Sequence, residues 1–415
     1  MIDGQSGVAR LLDVRAGVGP MRDAQPKRRP ASANTVFRNA RIVLKDGIVL
    51  GTVVVADGRI LAVDTGNSSV PSAVDWEGDY LLPGLVELHT DNFERHLMPR
   101  PKVRWAELPA LLAHDAEIAA AGITTVFDAL GVGEADLESL RGSDWRRVLA
   151  SIDTGATQNL LRADHHLHVR CELPAPNTLE LFEPFHGHPR LSLISLMDHT
   201  PGQRQWEDLE QARTYYIGKK GWSMDKFDRQ VEQAAQLQAR YAAPNRRFFV
   251  EHCRSLGITM ASHDDTTPAH VEQAHGEGVA LSEFPTTFAA ARAARACGLL
   301  TVMGAPNVVR GGSHSGNVSA SELAREGLLD VLSSDYVPGS LLTATLRLVR
   351  DGIFTLPEAV QTVTRSPAEA AGLYDRGSIE PGLRADLVRM QRKELPGGLE
   401  QAVVREVWRE GQRVL

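Results

Sequence analysis

Short apolar runs alternate with helical stretches through the middle of the chain. Eight such runs stand out, at 85–89, 124–129, 166–171, 191–197, 257–262, 279–284, 300–303 and 331–334. Between them, helices are expected at 105–121, 224–241 and 268–276. This alternation implies βα units and a parallel sheet. Strands spaced one per few tens of residues fit a (β/α)₈ barrel of the TIM type. A doubly wound open sheet would give the same pattern, and 131–163 leaves room for one more strand.

The texture changes at both ends. Residues 35–37, 40–44, 51–55 and 59–63 are β-rich, with Asp46-Gly47 and Asp57-Gly58 as turn signals. The same texture returns at 384–390 and 403–408, before Glu410-Gly411. Both ends together predict one small β-sandwich domain, since chain termini often lie close together. The expected organisation is a flexible tail at 1–33, a first β part at 34–82, the barrel at 83–375 and a second β part at 376–415.

Composition narrows the function classes. The 415 residues are 43% hydrophobic, ample for a large core, with a formal net charge of -7. That balance argues against a nucleic-acid partner but leaves room for a local cationic patch. No run of about 18 apolar residues marks a membrane span, and residues 1–33 contain no apolar segment after a basic start, so no signal peptide is expected. Cys171, Cys253 and Cys297 form no CxxC pair, which predicts a reduced, cytoplasmic protein. A homo-oligomer is compatible with this size.

The candidate chemistry lies at the strand ends, where barrel enzymes place their reactive groups. Six candidate metal ligands converge there: His89 and Asp91 close the first strand, Glu172 the third, His199 the fourth, His263 the fifth and Asp335 the eighth. Alternate residues on a strand share a side, so His89-x-Asp91 can point two ligands at one metal. Imidazole and carboxylate together suit zinc, with manganese or iron as alternatives. One or two ions fit, with Glu172 as a bridge if there are two. His165, His166 and His168 alternate on one strand and read equally well as core or as site. His114, His186, His188, His252, His270 and His275 read as surface or helix residues.

At this point the chain resembles the amidohydrolase superfamily. Leu82-Pro83-Gly84-Leu85-Val86-Glu87-Leu88-His89 is similar to its barrel opening, and Pro381-Gly382-Leu383-Arg384-Ala385-Asp386-Leu387-Val388 to its return into the β domain. The resemblance spans about residues 35–412. Asp91 stands where most members carry a second His, and Glu172 where many carry a modified Lys, which leaves the metal count at one or two. Narrower strings resemble one diphosphatase branch: Glu87-Leu88-His89-Thr90-Asp91-Asn92-Phe93-Glu94-Arg95-His96, His168-Val169-Arg170-Cys171-Glu172, Met197-Asp198-His199-Thr200-Pro201-Gly202-Gln203, Ser262-His263-Asp264-Asp265-Thr266 and Ser333-Ser334-Asp335-Tyr336.

That branch acts in the carbon–phosphorus lyase pathway of phosphonate use. It hydrolyses α-D-ribose 1-methylphosphonate 5-triphosphate to the 5-phosphate and pyrophosphate. The resemblance implies a metal-activated water attacking the α-phosphorus, with Asp335 as general base. An anionic triphosphate needs cations and N–H donors. Arg95, Arg100, Lys102, Arg170, Lys219, Lys220, Arg310 and His314 are the candidate substrate contacts, the last two in the Gly-rich loop at 310–317. Two other readings compete: a cyclic amidohydrolase or sugar deacetylase using the same activated water on a carbonyl carbon, and a metal-free assembly scaffold.

Overall fold

In the computed structural model, residues 34–101, 103–133, 145–204, 209–219, 221–313 and 316–415 are described. The tail expected at 1–33 lies outside the described residues, as do Lys102, Lys220 and His314.

The N-terminal β-rich region forms β1 (Thr35–Leu44), β2 (Gly47–Ala56), β3 (Arg59–Thr65), β4 (Val74–Asp75) and β5 (Tyr80–Pro83). The two short runs at 35–37 and 40–44 are one strand. A register shift in β1 lies between Phe37 and Ala40, and Asn39 within it takes φ 54°. The barrel follows as β6 (Leu85–Thr90), β7 (Ile123–Val132), β8 (Asp164–Glu172), β9 (Leu191–Met197), β10 (Thr259–His263), β11 (Leu281–Glu283), β12 (Leu300–Gly304) and β13 (Val331–Ser333). All eight runs read from the sequence are strands. The C-terminal region supplies β14 (Leu387–Leu395), β15 (Leu399–Arg409) and β16 (Gln412–Arg413).

The barrel strands pair in parallel and in chain order from β6 to β13. That order excludes the doubly wound alternative, which requires the strand order to reverse. The barrel nearly closes, since its outer strands meet through one parallel bridge between Thr90 and Asp335. The Asp335 amide donates to the His89 carbonyl at 3.1 Å, and the Asp91 amide to the Asp335 carbonyl at 3.0 Å. Buried Glu87 adds a clasp. Its carboxylate accepts from the amides of His89 at 2.6 Å and Ser334 at 2.5 Å. Closure therefore fixes the first and last strand ends, where three candidate site residues sit.

Both chain ends join one mixed sheet, in the order β16-β15-β14-β5-β1-β2-β3 with β4 on β1. The sandwich read from the sequence is thus one continuous hydrogen-bonded sheet. Its core gathers Phe37, Trp76, Leu81, Ile379 and Leu387 from both ends of the chain. The helix expected at 224–241 runs from Met224 to Leu256 with Pro244 inside it. Burial of Phe249, Val250 and Cys253 against the barrel carries it past the proline. Among the described part of 131–163, the space left for another strand holds helix Trp145–Thr157.

Gly84 sits where sheet becomes barrel, its amide donating to the Asp386 carbonyl at 2.7 Å. A Cβ there would meet Thr124 Oγ1 at 2.1 Å and Asp386 Cβ at 2.9 Å. The Pro-Gly pair that opens the barrel is a packing requirement. Gly84→Ala should therefore lower stability by about 1–3 kcal/mol through overpacking, read as a lower urea midpoint with unchanged slope.

Candidate active site

Strand geometry brings the predicted ligands to one mouth. His89 ends the side-chain row of β6, His263 is the last residue of β10, and His199 lies two residues beyond β9. Just past three strand ends, Asp264, Phe284 and Asp335 take positive φ of 54°, 55° and 54°. Such backbone costs on the order of 1–3 kcal/mol per residue and collects at functional sites. Here it turns the chain so that Asp264, Phe284 and Asp335 face the same cavity of about 230 Å³ as His89, His199 and His263.

Each imidazole is held from behind. Glu283, at the end of β11, accepts from His89 Nδ1 at 2.6 Å through one oxygen and from His263 Nδ1 at 2.7 Å through the other. Glu172 accepts from His199 Nδ1 at 2.5 Å and from the His199 amide at 2.9 Å. With Nδ1 as the donor, Nε2 of all three rings keeps a lone pair. His89 Nε2 lies 3.7 Å from Asp91 Oδ1. Nε2 of His199 and of His263 lie 3.7 and 3.6 Å from Asp264 Oδ2.

Two donor groups result, His89–Asp91–Asp335 and His199–His263–Asp264. Within each, the possible ligand atoms lie within 4.8 Å of one another. Carboxylate–imidazole pairs with a free Nε2 are the usual support of a metal-binding histidine, so the residues fit a divalent metal. Asp264 and Glu283 were not singled out in the sequence. Asp264 directly follows His263, and Glu283 ends the sixth strand, so the strand-end rule applied to every strand would have found Glu283.

The electrostatics favour positive charge at the His89 and His199 rings, whether a proton on Nε2 or a cation in its place. Burial works against charge on His89 and His199, yet the carboxylates of Glu283 and Glu172 outweigh it and raise both imidazoles. Burial alone would raise Glu283; the imidazoles around it hold it well below the usual carboxylate range. Burial lifts the Asp335 carboxyl above its ordinary value. Burial likewise pushes Glu87 up to about 7, despite the amides it accepts from.

The neighbouring histidines now separate. His168 faces the barrel interior, with Nδ1 on the Leu88 carbonyl at 2.9 Å and Nε2 on Ser195 Oγ at 2.5 Å. Burial pushes it down to about 3. His166 stacks on Phe127 away from the mouth. His114, read as a surface or helix residue, is on a helix but fully buried, and it shares Asp128 with His165. His252 is also buried, because the face of helix Met224–Leu256 that carries it packs on the barrel.

The predicted cations divide as well. Arg170 lines the cavity and donates to Asp91 at 2.6 Å. Arg310 also lines it, at the end of a short helix that runs into Gly311 and Gly312. Arg95 is outside the lining but donates to the carbonyl of cavity residue Tyr336 at 2.8 Å. Arg100 is exposed and does not line the cavity. The backbone of Lys219 ends the helical segment Thr214–Lys219.

Comparison with known proteins agrees with this geometry. A family profile described as the amidohydrolase family matches residues 222–415. The α-D-ribose 1-methylphosphonate 5-triphosphate diphosphatase of Escherichia coli (strain K12) is 46% identical over 381 residues, 91% of this chain and 100% of that protein. Imidazolonepropionase of Deinococcus deserti is 25% identical over 82% of this chain and 85% of its own. Among solved structures, molinate hydrolase shares the fold with a TM-score of 0.62 at 15% identity, covering 93% of this chain and 95% of the other. At 46% identity along the whole relative, this chain is a hydrolase that belongs to the amidohydrolases, in the family of the α-D-ribose 1-methylphosphonate 5-triphosphate diphosphatases.

Proposed function

We propose that the chain hydrolyses α-D-ribose 1-methylphosphonate 5-triphosphate to the 5-phosphate and pyrophosphate. The observation that carries this reading is one cavity lined by His89, His199, His263, Asp264 and Asp335, from two imidazole–carboxylate donor groups, together with Arg170 and Arg310. The arginines favour a polyphosphate over an uncharged cyclic amide. The intact ligand set speaks against a metal-free scaffold. His89, Asp91, His199, His263 and Asp264 would hold one or two divalent ions, with zinc the best match to nitrogen and oxygen donors. A metal bound there supplies Lewis acidity and a water of lowered pKa.

The chain's own residues do the rest. Asp335 takes the proton of the attacking water at a carboxylate oxygen and passes it on to solvent or product. The water oxygen bonds to the α-phosphorus as the bond from that phosphorus to the bridging oxygen breaks, and pyrophosphate leaves with the electron pair. Arg170 and Arg310 offset the charge on the phosphoryl oxygens. Glu172 becomes a positioning residue for His199 in this reading, because both of its oxygens already serve His199. The three free cysteines fit a reducing, cytoplasmic setting, and no helix among the described residues is long and apolar enough to cross a membrane.

Three outcomes are expected. With a divalent metal and the ribosyl triphosphate, phosphorus NMR should show pyrophosphate appearing, and a chelator should stop it. Phosphate release confined to the γ position would instead move the attack to another phosphorus. Asp335→Asn should cut kcat by at least about a thousandfold while the protein keeps most of its metal by elemental analysis; near-normal turnover would remove Asp335 as the base. Glu283→Gln should weaken metal retention about 10–100-fold in chelator competition, since it disturbs two imidazoles at once.

A further inference from the structure

Four ionisable side chains lie buried between helix Glu107–Ala120 and strands β7 and β8. They are His114, Asp115, Asp128 and His165, and none of them enters the chemistry above. Burying charge is costly unless every partner is in place. Here the partners form a continuous line. Asp128 accepts from His114 Nε2 at 2.8 Å and from His165 Nδ1 at 2.8 Å. His165 Nε2 faces Asp115 at 3.3 Å, and Asp115 accepts from Arg162 at 3.1 Å. At the other end, Asn92 Nδ2 meets His114 Nδ1 at 3.1 Å and donates to Glu117 at 3.0 Å. Asn92 Oδ1 accepts from Arg95 at 3.2 Å.

The donors and acceptors admit one assignment. Arginine only donates and an ionised carboxylate only accepts. Arg95 therefore fixes Oδ1 of Asn92, and Glu117 fixes its Nδ2. His114 Nδ1 must then accept, so its proton sits on Nε2 and goes to Asp128. His114 is neutral, while His165, placed between two carboxylates, carries the charge. The electrostatics run the same way. Burial lowers His114, and the carboxylates of Asp128 and Asp115 overcome burial to raise His165 to about 9.

We propose that this buried relay is a positioning device for Arg95. It clamps the amide of Asn92, the residue after Asp91, so that Oδ1 always faces the Arg95 guanidinium. Arg95 in turn grips the carbonyl of Tyr336, the residue after Asp335. The guanidinium is thereby set between the loops following the first and last barrel strands, at the rim of the cavity that Tyr336 lines. This rests on the reading of Arg95 as a substrate contact.

The test uses metal-loaded enzyme, steady-state kinetics on the ribosyl triphosphate and metal content by elemental analysis. Arg95→Met and His114→Leu should each raise KM about tenfold, the size of one lost charge-assisted bond, with kcat within about threefold and metal content unchanged. The double variant should be no worse than Arg95→Met, because both changes act through one guanidinium. His114→Asn, whose Oδ1 replaces the Nδ1 lone pair, should recover most of the KM. If His114→Leu does not fold, Asn92→Ala carries the same expectation. An unchanged KM in the His114 and Asn92 variants, or fully additive losses, overturns the relay while leaving Arg95 in place. An unchanged KM in Arg95→Met removes Arg95 as a substrate contact, and the relay's purpose with it, without touching the metal-site reading.

Discussion

Glu283 is the interaction on which the site depends. One buried carboxylate receives Nδ1 of His89 through one oxygen and Nδ1 of His263 through the other. The two imidazoles come from strands four places apart, and their rings stack with centroids 5.9 Å apart. A shared acceptor fixes both tautomers and both ring planes at once, and no pairing of separate acceptors would couple them. Phe284 completes the restraint, its ring edge-on to His89 at 5.0 Å and to His263 at 5.4 Å. The left-handed backbone of Phe284 is the local cost of bringing that ring back over the strand end.

This cluster can stay charged in a low-dielectric interior only because the barrel supplies partners on every side. Ser195 donates to Glu283 at 2.8 Å from β9. Asp265 is tied to Arg204, Ser262 and Ser282, so the turn carrying Asp264 is fixed from below. Arg204 also donates to the His263 carbonyl at 2.8 Å, joining the loop after His199 to the end of β10. A half-satisfied network of this size would be worse than an apolar core. The supporting bonds are therefore a condition for the ligands to hold their geometry before any metal arrives.

The eight strands, their parallel order and the mouth as the seat of chemistry were legible because they follow from periodicity and from polar residues at strand ends. His89, Asp91, His199, His263 and Asp335 were singled out that way, and the structure brings them to one mouth. Glu172 was singled out as a bridge between metals rather than as the acceptor behind His199, because a carboxylate at a strand end looks the same whether it meets a metal or the back of an imidazole. His114 was misplaced for a related reason. Ala110, Leu111 and Ile118 do place it on the apolar face of its helix, but an ionisable residue beside Asp115 reads as solvated until its partners are known. Only the meeting of that helix with Asp128 and His165 from two strands makes the position interior. Pro244 hid the second half of a helix whose continuation is decided by tertiary burial, which sequence propensity does not contain.

Charge sorting explains how a protein with a net charge of -7 can serve an anionic substrate. Among the described residues, Asp91, Glu172, Asp264, Glu283 and Asp335 crowd the floor of the site, a strongly repulsive set for a triphosphate on its own. Glu172 and Glu283 are occupied as acceptors of imidazole N–H groups, and Asp91 is paired with Arg170 at 2.6 Å. The carboxylates left facing the cavity, Asp264 and Asp335, are those that lie closest to the free Nε2 atoms or carry the proposed base. Arg310 lines the same cavity, where the chain leaves its short helix in a glycine turn. The negative charge of the protein is thus spent where cations are wanted. Cations line the same cavity in Arg170 and Arg310, and the sign of the whole surface says little about the sign of the ligand.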